Sequence, residues 1–170
     1  MKTYLYKTLA SVVAISIASQ AIAGELVDQV APNEDVTALH QLWERYQQAV
    51  AKKDAKGLLA LYVSDAVPVM GGIAPQSYAL IVAANKRPVP RTLLLTAREN
   101  VAGEVKLPPD EIKNIRIHSD GEVGSIAFDY AAKVGHGHII WSTVRTNDGW
   151  KIAFVLYSIN VPAADKKGAG

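Results

Sequence analysis

The chain has 170 residues, no cysteine, and 18 basic against 16 acidic residues. Without cysteine there is neither a disulfide nor a thiol nucleophile, so the fold depends on its core and thiol chemistry is excluded. Two of the basic residues lie in a predicted leader that has no acidic residue. The remainder is balanced in charge, and we expect no nucleic-acid partner because no basic footprint is left.

The first 23 residues are typical of a cleavable signal peptide. Lys2 and Lys7 precede an apolar run over residues 9–18. The small-x-small pattern Ala21-Ile22-Ala23 follows this run. That run is shorter than the roughly 20 apolar residues that span a bilayer. We therefore predict cleavage after Ala23, a periplasmic or secreted protein, and no membrane partner afterwards. A buried N-terminal helix is the alternative.

Residues 24–35 are predicted to be a polar lead-in, and residues 36–161 the folded domain. Asn33 or Asp35 can cap a first helix, since their side-chain oxygens accept from first-turn amides. Apolar residues then recur at helical spacing, at Leu39, Leu42, Trp43, Tyr46 and Val50. Asp54 is predicted to cap a second, short helix that continues to Tyr62. A strand over residues 66–70 is expected to end at Gly71-Gly72.

Residues 73–109 give the weakest pattern. A helix fits residues 77–84, whereas residues 92–101 fit a helix or a strand. From Ile112, four β-rich runs are separated by the turn residues Asp120-Gly121, Val134-Gly135 and Asn147-Asp148-Gly149. Such a pattern indicates consecutive antiparallel hairpins. Residues 162–170 are predicted to be a disordered tail.

Helices followed by an antiparallel meander predict an α+β fold. The stretch LWERYQQAVAKKDAKGLLALYVSDAV, residues 42–67, resembles the opening of the nuclear transport factor two-like superfamily, and residues 121–160 resemble the last hairpins of its exported, SnoaL-like members. The resemblance implies a cone-shaped fold with N-terminal helices packed on a curved antiparallel β-sheet. It implies little about function, because this scaffold hosts isomerases, dehydratases, hydrolases and binding domains.

The hairpin turns predict which residues share a face of the sheet. If Val134-Gly135 is a two-residue turn, Lys133 opposes His136 and Asp129 opposes Ile140. If residues 147–149 form a three-residue loop, Trp141 opposes Val155 and Ile139 opposes Tyr157. One face then collects the large apolar and aromatic side chains: Ile126, Phe128, Tyr130, Ile139, Trp141 and Tyr157. A change of one residue in the second loop would turn Tyr157 to the other face.

The resemblance implies that the concave face meets the first helix and lines a pocket. The tyrosine hydroxyls support this prediction, because a buried hydroxyl needs a hydrogen-bond partner. Ordinary core packing is the alternative for each ring. The predicted pocket consists of Trp43, Tyr46, Tyr62, Met70, Phe128, Tyr130, Ile139, Trp141 and Tyr157.

A metal site is not predicted. His136 and His138 share the other face, with Asp129 as a diagonal third ligand, but Lys133 opposite His136 would repel a dication. Zinc sites take three or four protein ligands. No cofactor is expected either, since no phosphate-binding glycine loop is present.

Isomerase chemistry of the ketosteroid type is also not predicted. In that branch of the resembling superfamily, a tyrosine works with a carboxylate base and a protonated acid. Tyr46 matches the tyrosine, but Met70 and Trp141 occupy the positions of the two acids, and neither can transfer a proton.

The sequence therefore predicts an exported, non-catalytic domain that binds a small hydrophobic ligand. One alternative is an enzyme, of isomerase, dehydratase or hydrolase type, that acts through Tyr46 and pocket water. Another is a protein-binding dimer whose pocket is filled. The outer sheet face carries Ile140, Val144, Phe154 and Leu156, too apolar a patch to leave in water. We expect a homodimer through this face.

Overall fold

The computed structural model of the protein describes residues 34–133 and 135–161. The predicted signal peptide, its cleavage site, Asn33 and the C-terminal tail lie outside these residues and stay predictions. Four helices are described: α1 (Glu34–Ala51), α2 (Ala55–Leu59), α3 (Pro75–Ala84) and α4 (Ala97–Glu104). Six strands are described: β1 (Pro68–Ile73), β2 (Thr92–Thr96), β3 (Glu111–Ser119), β4 (Val123–Ala132), β5 (Gly135–Thr146) and β6 (Gly149–Ile159).

The six strands form one sheet in the order β2-β1-β6-β5-β4-β3. β3 to β6 are the four predicted runs, and they pair antiparallel as a meander. The parallel pairing of β1 with β6 makes the sheet mixed. The predicted α+β fold, with N-terminal helices packed on the sheet, is confirmed.

The predicted apolar stripe of α1 packs on the sheet. Leu39, Leu42 and Trp43 are buried, and Tyr46 and Val50 pack against the core from its edge. Asp35 is not the cap, because it lies inside the first turn, where its carboxylate pairs with Arg145. The second cap was predicted correctly: the Asp54 side chain accepts from the Gly57 amide at 2.9 Å. α2 ends at Leu59, three residues before the predicted end.

β1 differs from the prediction, because it continues through Gly71-Gly72 to Ile73. Each of the two glycines has a partner in both neighbouring strands, so the ladder is not interrupted. Gly71 faces the core and lies beside Tyr157, whose ring would be 2.5 Å from a Cβ at this position. The glycine therefore makes room for an aromatic ring rather than ending the strand.

The region of weak pattern, residues 73–109, contains both kinds of structure. α3 covers the predicted helix, and the ambiguous stretch divides into strand β2 and helix α4. The division falls at Thr96, whose hydroxyl accepts from the Glu99 amide while the Glu99 carboxylate accepts from the Thr96 amide. This capping box starts α4.

Both hairpin registers need correction, although the predicted faces hold. Ala132 pairs with Gly135, and Asp129 opposes His138 rather than Ile140. This register differs by two residues from the prediction, which keeps every side chain on its face.

In the second hairpin, Thr146 pairs with Gly149, so the loop has two residues rather than three. A bulge between Ser142 and Thr143 then restores the predicted pairs of Trp141 with Val155 and Ile139 with Tyr157. The predicted facing of Tyr157 is therefore right, although the predicted loop is wrong.

The core lies between the helices and the inner face of the sheet, which carries Phe128 and Trp141. Its largest fully buried side chains include Phe128, Leu39, Leu42, Leu58, Ile126 and Ile152. Within the described residues, no helix is both long enough and apolar enough to cross a membrane.

Candidate functional site

An aromatic cluster joins α1 to the middle of the sheet. Trp43 from α1 meets Phe128 of β4 and Trp141 of β5, with ring centroids 4.7 Å and 5.5 Å away. Phe128 and Trp141 meet edge to face at 5.3 Å. All three are almost fully buried, with at most 4% of each residue exposed. They are core residues, and they form a closed floor rather than the walls of an open pocket.

Tyr46 continues this cluster towards the surface. Its ring lies 5.5 Å from Trp43 and meets Trp141 edge to face at 4.8 Å. Its hydroxyl donates to the Glu104 carboxylate at the end of α4, with an O–O distance of 2.6 Å. The predicted tyrosine therefore has a carboxyl partner that comes from a different element of the fold.

The Glu104 carboxyl is half-buried. Burial raises its pKa, and the hydrogen bond from Tyr46 opposes this by stabilising the ionised form. Burial also raises the pKa of Tyr46 well above its usual value, and the Glu104 charge adds to the effect. Asn100, one turn earlier on α4, places its amide 3.5 Å from the other Glu104 oxygen.

Three further tyrosines and one acid complete what we call the Glu104 site: Glu104 with Tyr46, Tyr62, Asn100, Asp110, Tyr130 and Tyr157. Burial and the Glu104 charge raise the pKa of Tyr62, and the nearby Asn100 amide acts in the opposite direction. Burial, with contributions from Tyr157 and Asp110, raises the pKa of Tyr130 to about 12. Asp110 lies close enough to Tyr46, Glu104 and Tyr130 for its charge to act on all three.

The partly exposed tyrosines of the site lie on β4 and β6. Tyr130 and Tyr157 are partly exposed, and the Tyr130 hydroxyl donates to the Ser158 carbonyl at 3.0 Å. Asp110 is exposed at the rim, although the protein around it withdraws enough water to raise the pKa of its carboxyl.

Eight of the nine predicted pocket residues lie on the core side of the sheet or on the elements that cover it. Met70 does not, and its prediction is wrong. It pairs with Leu94 and Leu156, which are both exposed on the outer face. Because directly paired residues share a face, the side chain of Met70 points away from the cluster.

Sequence reasoning missed Glu104, Asn100 and Asp110, which lie in or just after the region of weak pattern. One signal could have found the first two. The sequence Thr96-Ala97-Arg98-Glu99 is a capping box and predicts a helix from Ala97. On that helix Ala97 and Val101 form the buried side. Asn100 and Glu104 lie next to this side, because residues three or four apart are neighbours on a helix surface.

The histidine pair is arranged differently from the prediction. Ala131, not Lys133, opposes His136, and Asp129 lies directly across from His138, with its carboxylate 2.7 Å from Nδ1. The Asn114 amide donates to the other Asp129 oxygen at 2.6 Å. Together the Asn114 and His138 hydrogen bonds lower the pKa of Asp129.

Among the residues that the structure describes, no group of three or more His, Asp or Glu side chains could hold a metal ion. The His138–Asp129 pair is a half-exposed hydrogen-bonded pair on the outer face of the sheet.

A cleft of about 400 Å³ lies elsewhere, around α2 and the turn between β5 and β6. None of the nine predicted residues lines it. Its wall is mostly exposed and of mixed charge, with Arg45, Lys52, Asp54, Asp148 and Lys151. We place the candidate site at Glu104 instead, because there a half-buried, hydrogen-bonded pair of titratable groups adjoins an apolar floor.

Comparison with solved structures identifies the fold. An NTF2-like protein of unknown function from Shewanella baltica aligns with a TM-score of 0.58 at 11% identity, over 78% of this chain and 98% of the other. One from Silicibacter pomeroyi aligns with a TM-score of 0.57 at 13% identity, over 76% and 99%. The protein has the NTF2-like fold.

A cystatin-like fold protein from Burkholderia xenovorans also aligns, with a TM-score of 0.53 at 11% identity over 78% of this chain and 96% of the other. No family model matches the sequence. No curated protein matches it either. The predicted superfamily resemblance is thus confirmed for the NTF2-like fold, while the exported SnoaL-like subtype stays a prediction.

Proposed function

We propose that this NTF2-like protein is an exported domain that binds a small, largely apolar molecule at the Glu104 site. The observation that carries the proposal is the hydrogen bond of 2.6 Å between the Tyr46 hydroxyl and a carboxyl of raised pKa. Structural carboxylates are usually solvated or paired with a cation, whereas a buried carboxyl without one is typical of binding and catalytic sites.

The shape and chemistry of the site support a small ligand. The rings of Trp43, Phe128 and Trp141 supply an apolar base, and the hydroxyls of Tyr46, Tyr130 and Tyr157 supply a few polar contacts above it. Ligand sites in proteins are mostly apolar, with a small number of polar groups that orient the bound molecule. Export rests on the predicted signal peptide alone.

Catalysis is the second candidate, and Glu104 favours it. From the sequence, Tyr46 could be identified, but no group that could exchange a proton with it. Glu104 is such a group, and its pKa is raised towards the range in which general acids and bases work at neutral pH. An enzyme that acts on a small hydrophobic substrate would use Tyr46 and Glu104 together.

Binding is tested by ligand-observed NMR with a library of small neutral alcohols, phenols and ketones. We expect several of them to bind wild-type protein, and Tyr46→Phe to weaken them by about 0.5–1.5 kcal/mol through loss of one neutral hydrogen bond. Tyr78→Phe is the matched control, because its hydroxyl donates to Val89 on a different part of the surface.

Equal binding to wild type and Tyr46→Phe, or no binding at all, would overturn the proposed site. Turnover of any bound ketone or alcohol that is lost in Glu104→Gln but retained in Tyr78→Phe would favour the enzyme over the binding domain.

A further inference from the structure

The cleft around α2 and the turn between β5 and β6 is separate from the Glu104 site. None of the residues of that site lines it. Its volume of about 400 Å³ lies within the range of small-molecule sites, which begins at about 300 Å³. The proposed function makes no use of this cleft.

The floor of the cleft is apolar. Leu42, Ala49 and Leu61 line it, and each of them is buried in the core cluster. Trp150 also lines the cleft and is buried. The Arg145 guanidinium lies over the Trp150 ring, 5.4 Å from its centroid, and this contact helps to hold the ring in place. The floor is therefore part of the folded core and needs no ligand to form it.

The rim of the cleft carries three cations. Arg45 lies on α1, and Lys52 follows seven residues later, just after the end of this helix. Lys151 comes from β6 and donates to the Ala60 carbonyl at 2.6 Å, which joins the strand to the end of α2. None of the three cations takes part in an ion pair with another described residue. Each of their charges is therefore available to a ligand.

Two acids also line the cleft, Asp54 and Asp148. The Asp54 carboxylate caps α2, where one oxygen accepts from the Gly57 amide at 2.9 Å. A Cβ on Gly57 would lie 2.5 Å from the other oxygen, so the whole carboxylate is packed against the start of the helix. Among the described residues of the cleft, three cations thus face Asp148 as the one acid that is not engaged in capping. The potential in the cleft favours an anion.

A second, independent observation also favours an anion. The indole nitrogen of Trp150 is buried, and no acceptor among the described residues pairs with it. Most buried donors in folded proteins have a partner. An unpaired N–H in the wall of the cleft leaves its partial positive charge uncompensated, which adds to the charge of the rim.

We infer that this cleft is a second ligand site and binds a small organic acid. The carboxylate is held by Arg45 and the neighbouring cations of the rim, and the apolar part of the acid packs on Leu61 and Trp150. Arginine and carboxylate form charge-assisted hydrogen bonds, often in pairs, which orient the acid as well as attract it. The inference does not depend on the ligand of the Glu104 site.

The test compares phenylacetate with phenylacetamide, its neutral amide, in a protein-observed NMR titration at low salt. The readout is the indole N–H resonance of each tryptophan. Trp150 lines the cleft, whereas Trp43 and Trp141 belong to the aromatic cluster at the Glu104 site. We expect phenylacetate to shift the Trp150 resonance alone. It should bind about fivefold or more tightly than the amide, the upper end of what a partly exposed ion pair contributes.

Variants of two exposed cations test the role of the rim. In Arg45→Gln, the affinities of acid and amide should come within about twofold of each other. The matched control is Lys56→Gln, which removes a positive charge from α2 at a position that does not line the cleft, and it should keep the preference for the acid. Both side chains are exposed, so neither substitution removes a core contact.

The outcomes separate this inference from the proposed function. Equal affinity of acid and amide, or no shift of the Trp150 resonance at millimolar concentration, would overturn the second site. A preference that Lys56→Gln removes as fully as Arg45→Gln would show a general charge effect and also overturn it. Shifts of Trp43 and Trp141 without Trp150 would assign the acid to the Glu104 site, which overturns the inference and leaves the proposed function in place.

Discussion

Glu104 and Glu99 lie on the same short helix and have opposite electrostatic surroundings. Glu99 is fully exposed, and its hydrogen bonds with the amide and hydroxyl of Thr96 lower its pKa. Glu104 is half-buried, and its pKa is raised despite the hydrogen bond from Tyr46. The two glutamates thus share a helix and a residue type but differ in environment. A variant of one is therefore a control for the same variant of the other.

The difference gives opposite dependences of stability on pH. The folded state holds the Glu104 proton more tightly than the unfolded state, so its stabilising contribution is complete below the unfolded pKa and is lost as pH rises through the folded value. The Glu99 contribution is present above its unfolded pKa and is lost as pH falls. We therefore expect wild-type protein to lose stability relative to Glu104→Gln, and to gain it relative to Glu99→Gln, as pH rises from 4 to 7.

Urea unfolding of the three proteins across that pH range measures this. A difference between wild type and Glu104→Gln that stays constant with pH would show that the Glu104 pKa is the same in the folded and unfolded states.

Residues of the candidate site could be predicted only where the sequence pattern of a single helix or strand identified them. Tyr46 follows from its place on the apolar stripe of α1, and Phe128, Trp141 and Tyr157 follow from strand alternation. Glu104 did not, because a glutamate on a helix is usually solvated, and only the packing of α4 beside α2 brings it to the Tyr46 hydroxyl. Met70 was wrong because its assignment relied on a family position rather than on the pairing of β1.

At the scale of elements, β1 shows how tertiary packing overrides a local signal. Gly-Gly is a strong turn signal in a sequence, yet Gly71 and Gly72 are in the middle of a ladder that β2 and β6 hold from both sides. The turn preference of Gly-Gly applies to an isolated segment. In β1, pairing with the neighbouring strands decides the conformation of the two glycines.

The two glycines differ in the space beside them. A Cβ on Gly71 would lie 2.5 Å from Tyr157 Cζ, whereas a Cβ on Gly72 has nothing within 4 Å. We expect Gly71→Ala to destabilise the protein by about 1–3 kcal/mol, as forced overpacking does. Gly72→Ala should stay within about 0.5 kcal/mol of wild type.

Chemical denaturation of both variants measures the difference. Equal stability of the two would mean that the Tyr157 ring can move away at no cost, and Tyr157 would then not be a fixed wall of the Glu104 site.

The hairpins show that a fold can be predicted with errors in its turns. The first register differs by an even number of residues and the second loop is compensated by a bulge, so the inner face keeps its residues. Burial of one face determines which residues of a strand point inwards. The turn can vary in length or position as long as the register changes by an even number of residues or a bulge compensates the change.

At the scale of the whole molecule, the outer sheet face is a band of apolar side chains. One row across the sheet runs Leu94, Met70, Leu156 and Ile140, in direct register. Leu94 is 65% exposed, Leu156 42% and Ile140 39%. Leu94 extends this band. It belongs to residues 73–109, the region that could have covered the band.

We propose that two copies of the chain pack through this face, since soluble proteins rarely leave such a band in water. Sedimentation equilibrium should give a dimer at micromolar concentration, and Leu156→Asp should give a monomer with the fold intact. Leu107→Asp is the matched control, because Leu107 is 57% exposed outside the face, just after α4. A wild-type monomer, or equal effects of the two substitutions, would contradict the proposal.

The position of β6 also determines when the chain can fold. β6 is the last strand in the sequence, yet it lies between β1 and β5 in the sheet, so Val69 pairs with Val155. The first strand and the later hairpins therefore have no common partner until the C-terminal segment exists, and pairings of such large sequence separation form slowly. A ribosome-bound chain lacking residues 149–159 should remain incomplete and open to proteases. That delay is compatible with passage across a membrane before folding, as the predicted signal peptide requires.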